Sequence, residues 1–122
     1  MKTRLVVDDS KVVRMVARKI LEELEFEVSE AADGQQALDA CKSKMPDVIL
    51  LDWNMPVMDG LEFVQTLRSV DLPKRIPVIM VTTEGSHERM NEATISGADG
   101  YILKPVTTEQ LQNSLKDYLS RE

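Results

Sequence analysis

Val48-Ile49-Leu50-Leu51-Asp52 is an apolar run closed by a carboxylate, and Val78-Ile79-Met80-Val81-Thr82 repeats the design with a hydroxyl at its end. A strand with one wet face alternates apolar and polar residues, whereas an unbroken apolar run suits a strand of a parallel sheet covered on both faces. Apolar runs alternate with segments of helical period along the whole chain. They are Leu5 to Val7 then Lys11 to Leu24; Val28 then Gln35 to Lys44; Val48 to Leu51 then Leu61 to Val70; Ile76 to Val81 then Glu88 to Ser96; and Tyr101 to Leu103 then Thr108 to Leu119. Five βα units in strict alternation predict an α/β fold, a doubly wound five-stranded parallel sheet with five helices on its two faces. Pro46, Gly60, Pro73, Pro77, Gly97 and Gly100 fall between the segments, where turns belong. The first helix is expected to bury Val13, Val16, Ala17, Ile20, Leu21 and Leu24 as one stripe. The fourth offers only Met90, Ala93 and Ile95, so its hold on the sheet should be the weakest.

The length of 122 residues fits one domain spanning residues 1–122. With 15 Lys and Arg against 21 Asp and Glu, the net charge of −6 repels duplex DNA and argues against nucleic acid as a direct partner. Apolar stretches such as Val48 to Leu51 fall far short of the ~20 residues needed to cross a bilayer, so no membrane insertion is expected. Met1-Lys2-Thr3-Arg4 leads straight into a strand-like run, unlike a targeting segment. The single cysteine, Cys41, lies at helical spacing from Ala37, Leu38 and Met45, which reads as a core thiol and a cytoplasmic location.

In a doubly wound sheet, ligands bind at the carboxyl ends of the strands, beside the point where strand order reverses. Asp8 and Asp9 end the first strand, Asp52 the third, Thr82 the fourth and Lys104 the fifth, so residues far apart in sequence are expected to share one rim. Three carboxylates in one pocket repel, by about 4 kcal/mol for two charges ~4 Å apart at an effective dielectric of 20, and the crowding calls for cations. Lys104 is one. Hard oxygen donors with few protein contacts suit Mg²⁺ as the other.

These residues carry a family resemblance. Leu5-Val6-Val7-Asp8-Asp9-Ser10, Leu50-Leu51-Asp52-Trp53-Asn54-Met55-Pro56-Val57-Met58-Asp59-Gly60, Val81-Thr82 and Tyr101-Ile102-Leu103-Lys104-Pro105 resemble the receiver domain of bacterial response regulators, over essentially the whole chain. The resemblance implies the strand order 2-1-3-4-5 of chemotaxis-type receivers. It implies Asp52 as the phosphoacceptor, attacking the phosphohistidine of a histidine kinase or histidine phosphotransfer protein. Asp9 and Asp52 would contact one Mg²⁺ directly, Asp8 through water and Asn54 through its backbone carbonyl. Thr82 and Lys104 would attend the phosphoryl oxygens, and the side chains of Asn54 and Glu84 would tune how quickly phosphate is lost. Phosphorylation adds charge and acceptor oxygens that would draw Thr82 inward and let Tyr101 swing in.

Val12 and Met15 are apolar residues at helical spacing on a polar face bearing Arg18, Lys19 and Glu22. They begin within a turn of Asp9 and are expected, with Pro105, to receive the partner. Trp53 is a candidate fluorescent reporter, His87 a solvated or capping residue, and Met55 and Met58 packing for the loop after Asp52. A haloacid dehalogenase-type phosphohydrolase would want a second carboxylate two residues after its nucleophile, where this chain has Asn54. A flavin binder would not place Asp8 and Asp9 in its phosphate loop. The sequence carries no DNA-reading helix-turn-helix or catalytic effector, so a monomer signalling by phosphorylation-dependent contact with a protein target is expected. A phosphorelay intermediate or phosphate sink is the alternative.

Overall fold

The computed structural model describes residues 2–73, 75–83, 85–104 and 106–112. Five strands, β1 (Thr3–Val7), β2 (Glu27–Ala31), β3 (Val48–Leu51), β4 (Val78–Thr82) and β5 (Gly100–Leu103), alternate with α1 (Lys11–Glu23), α2 (Gly34–Ser43), α3 (Gly60–Ser69) and α4 (His87–Ser96). Residues 108–112 are helical, and the rest of the expected fifth helix lies outside the described residues. The strands are parallel in the order β2-β1-β3-β4-β5, so chain order reverses between β1 and β3.

Period-two alternation divides each strand between two cores. Leu5, Val7, Ile49, Leu51, Val78 and Met80 meet Leu38, Phe63, Leu67 and Ala93 from α2, α3 and α4 on one face. Val6, Val48, Leu50, Ile79 and Val81 meet Ala17 and Leu21 of α1 and Leu111 on the other. This two-sided burial is the physical content of the apolar runs in β3 and β4. Side-chain caps start the helices: Ser10 accepts from the Val13 amide at 3.3 Å, Asp33 from Gln36 at 2.8 Å, Asp59 from Glu62 at 2.8 Å and Ser86 from Arg89 at 3.2 Å. Gly97 ends α4 at φ 115°, a left-handed conformation that glycine adopts without steric cost.

Several expectations are corrected. Val16 is 45% exposed and does not join the buried stripe of α1, because it stands at the rim of an open apolar groove with Val12, Val13, Thr83 and Val106. β4 begins at Val78 and not Ile76: Pro77 has no amide to donate, though its carbonyl accepts from Ile49 at 2.9 Å. β2 runs from Glu27 to Ala31, although Val28 alone marked it, because an edge strand with polar alternate positions lacks the apolar run. In α4 only Ala93 is buried and Ile95 is 86% exposed, which agrees with the expected thin apolar face and removes Ile95 from it.

Candidate functional site

The strand register continues one residue past β1 and β3. The Asp8 amide donates to the Ala31 carbonyl at 3.1 Å and the Asp52 amide to the Val7 carbonyl at 2.8 Å. Asp8 and Asp52 are thereby held side by side, both buried, at the edge where strand order reverses. Asp9, next in the turn, is exposed, and carboxylate oxygens of Asp8, Asp9 and Asp52 lie within 4.8 Å of one another. Ser10 supports the turn twice, donating its amide to Asp8 Oδ1 at 2.9 Å while its hydroxyl caps α1.

Lys104 arrives from the end of β5. Its Nζ lies 2.9 Å from Asp8 Oδ2 and 3.3 Å from Asp52 Oδ1, so one ammonium bridges the two buried carboxylates. Burial pushes the Asp52 carboxyl above its ordinary range and the Asp8 charge pushes the same way; Lys104 pulls against both without cancelling them. Burial pulls the Lys104 ammonium down, but its hydrogen bond to Asp8 and the charge of Asp52 outweigh this, and it titrates above an ordinary lysine. Thr82 is buried at the end of β4, where its carbonyl accepts from the Lys104 amide at 2.9 Å. Three carboxylates against one ammonium leave two negative charges, and the hard oxygen donors converge closely enough to fit a small divalent cation. Both Asp8 oxygens are engaged, by the Ser10 amide and by Lys104, and Asp52 Oδ1 also lies against Lys104.

The remaining candidates are distributed around this core. Asn54 is exposed in the loop after Asp52, and Tyr101 is half-buried against the core formed with α2, α3 and α4. Val12 and Met15 are 70% and 57% exposed on α1, as the docking reading requires. Glu84 and Pro105 lie outside the described residues. Trp53 is buried, with the Arg89 guanidinium 4.9 Å above its ring, and Met55 and Met58 pack the loop. His87 is exposed at the start of α4. Cys41 is a buried free thiol, pushed up to about 11 by burial.

Three residues of the site escaped the sequence reading. Gly60 packs so closely that a Cβ there would lie 2.2 Å from the Asp52 carbonyl oxygen, and its amide donates to the Trp53 carbonyl at 2.8 Å. In sequence it reads as a turn glycine between segments, at the end of the run that follows Asp52. Val57 holds φ 68° in the same loop, a strained conformation for a β-branched residue, and Pro56-Val57 gives no sign of it. Arg14 donates through Nη1 to the Asp8 carbonyl at 2.7 Å and through Nε to Glu30 at 3.0 Å. Its i,i+4 spacing to Arg18 was a signal, but the shared partner Glu30 is brought there only by β2.

Residues 5–116 match the family described as the response regulator receiver domain. Over 118 residues the chain is 36% identical to chemotaxis protein CheY-3 of Vibrio cholerae, covering 96% of this chain and 91% of that protein. It is 35% identical to chemotaxis protein CheY of Pseudomonas aeruginosa over 96% and 95% of the two chains. Among solved structures, Vibrio cholerae chemotaxis protein CheY4 superposes with a TM-score of 0.90 at 40% identity over 97% of this chain and 98% of that one. The receiver domain of Francisella response regulator 1452 superposes at 0.91 with 30% identity over 99% and 98%.

Proposed function

Because the chain belongs to the family of response regulator receiver domains, we propose that Asp52 is its phosphoacceptor, charged by a histidine kinase or histidine phosphotransfer protein in a Mg²⁺-dependent reaction. The observation that carries this reading is the ammonium of Lys104 bridging Asp8 and Asp52, with the Asp9 carboxylate beside them. Asp52 is buried, has the Lys104 ammonium as a neighbour, and stands at the position that the family resemblance assigns to the phosphoacceptor. An Asp52 oxygen attacks phosphorus, the bond from phosphorus to the donor's imidazole nitrogen breaks, and its electron pair returns to the ring. Lys104 is set to follow charge from the carboxylate to the phosphoryl oxygens, and the buried Thr82 hydroxyl to donate to one of them. Asp9 and Asp52, with the Asn54 backbone carbonyl, would hold Mg²⁺ directly and Asp8 through water. When bound, Mg²⁺ supplies a hard cation that neutralises equatorial phosphoryl oxygens.

Output proceeds by contact, as in a switch: Thr82 moves toward the phosphoryl group, Tyr101 follows, and a protein target reads the altered surface around α4. Asn54 and Glu84 set the lifetime of the phosphoryl state, and the chain works as one cytoplasmic, monomeric receiver unit over residues 1–122. The names of the chemotaxis proteins it resembles favour a reversible protein target over a phosphorelay role. A phosphohydrolase reading is disfavoured by Asn54, an amide where that chemistry needs a second carboxylate. The test is labelling with acetyl phosphate with and without Mg²⁺. Label that requires both Mg²⁺ and Asp52 is the expected result, and label retained in Asp52→Asn overturns the assignment. Lys104→Ala should still take some label while losing the phosphorylation-dependent gain in target affinity.

A further inference from the structure

We propose that Arg14 is a positioning residue for the acidic pair, fixing through the Asp8 carbonyl the direction in which Asp9 is presented to the cation; the proposal rests on the Mg²⁺ reading above. The Asp8 carbonyl belongs to the planar peptide unit that joins Asp8 to Asp9, so anchoring that oxygen sets the orientation of one residue relative to the other. Asp8 is otherwise well held, by the Ala31 carbonyl at its amide and by Ser10 and Lys104 at its carboxylate. Asp9 is exposed, and its direction follows from the backbone beneath it.

Arg14 is itself braced. Its Nη1 donates to the Asp8 carbonyl at 2.7 Å while its Nε pairs with Glu30 Oε1 at 3.0 Å, and its side chain is only 17% exposed. Glu30 holds Arg18 Nη1 through its other oxygen, and lies on β2 opposite Val6 of β1. The guanidinium thus ties helix α1 and edge strand β2 to the turn that carries both carboxylates. A planar fork serves two partners in fixed directions, which a lysine ammonium on a flexible stem cannot do.

The test is Mg²⁺ titration of the full chain, followed by isothermal calorimetry and by emission of Trp53, the only tryptophan. Supporting partners behind metal ligands change affinity by about 10- to 100-fold when lost, and Arg14→Ala should weaken Mg²⁺ binding about 10-fold. Arg14→Lys should recover only part of this, and carries the test if the alanine variant does not fold. Acetyl phosphate labelling of Arg14→Ala should return to the wild-type rate at saturating Mg²⁺. Arg68→Ala, which breaks bonds to Gly97, Ile76 and Asp99 at the opposite end of the sheet, should lower the melting temperature with Mg²⁺ affinity unchanged. Wild-type affinity in Arg14→Ala, or equal loss in Arg68→Ala, overturns the proposal while leaving the Mg²⁺ reading in place. A wild-type chain that binds no Mg²⁺ overturns both.

Discussion

Burial disfavours the Asp52 carboxylate, the like charge of Asp8 adds to this, and Lys104 offsets only part of the two together. Asp52→Asn should therefore raise the melting temperature of the metal-free protein, by about 4 °C for on the order of 1 kcal/mol in a domain this size. The pH dependence has a definite sign. A carboxyl whose folded-state pKa is raised contributes stability that is present below its unfolded value and lost as pH rises through the folded value. The gap between variant and wild type is thus full at neutral pH and closes as pH falls toward the ordinary carboxylate range. Calorimetry in chelator at neutral and acid pH measures it, and a lower melting temperature for the variant at neutral pH would contradict the crowding. Gly60 answers to geometry instead of charge. A Cβ 2.2 Å from the Asp52 carbonyl oxygen must displace backbone, so Gly60→Ala should cost about 1–3 kcal/mol and slow acetyl phosphate labelling. Gly85→Ala meets only the end of the Leu103 side chain at 3.3 Å and should be milder; equal effects on labelling would deny Gly60 its link to Asp52.

Helices α1 and α4 are bound to the sheet in unequal ways. Helix α4 buries only Ala93, and its far end is secured by the Arg68 bond to the Gly97 carbonyl at 3.1 Å and the Gln65 bond to Ser96 at 3.3 Å. Near the site it meets Trp53 through Arg89, a cation–π contact worth about 0.5–1 kcal/mol where exposed. A helix held firmly at one end and lightly at the other suits the contact-switch reading. Helix α1 is anchored by Ala17 and Leu21, leaving Val12 and Met15 outside beside the similarly exposed Val16. Exposure alone does not make a docking face, since single apolar residues on surfaces are common. Replacing Val12 and Met15 together with Glu should slow transfer from a phosphohistidine protein about tenfold and leave acetyl phosphate labelling unchanged, because that small donor needs no surface. Equal loss with both donors, or loss with neither, rejects the patch.

Across the whole molecule the charge is −6, and part of it is concentrated at one rim where Lys104 lies between Asp8 and Asp52. A ligand that binds the folded chain alone stabilises it by mass action, about 2.7 kcal/mol at a hundredfold excess over Kd. Saturating Mg²⁺ should raise the melting temperature of the wild type and raise that of Asp52→Asn less, as thermal melts with Mg²⁺ and with chelator would register. An equal rise in both would place the cation elsewhere. Among the described residues no helix is long and apolar enough to cross a membrane. Sequence alone was sufficient for the alternation of elements, the two-sided burial of β3 and β4 and the gathering of Asp8, Asp52, Thr82 and Lys104 at strand ends. Those follow from local periodicity and from the chain-order rules of parallel sheets, which need no coordinates. Only the tertiary structure could decide that Lys104 bridges Asp8 and Asp52, that Gly60 lies against the Asp52 carbonyl, that Val16 stands outside its stripe and that Arg14 reaches the turn between the two carboxylate residues. Each of these depends on a contact between segments distant in the chain, at separations of a few ångströms that local pattern does not encode.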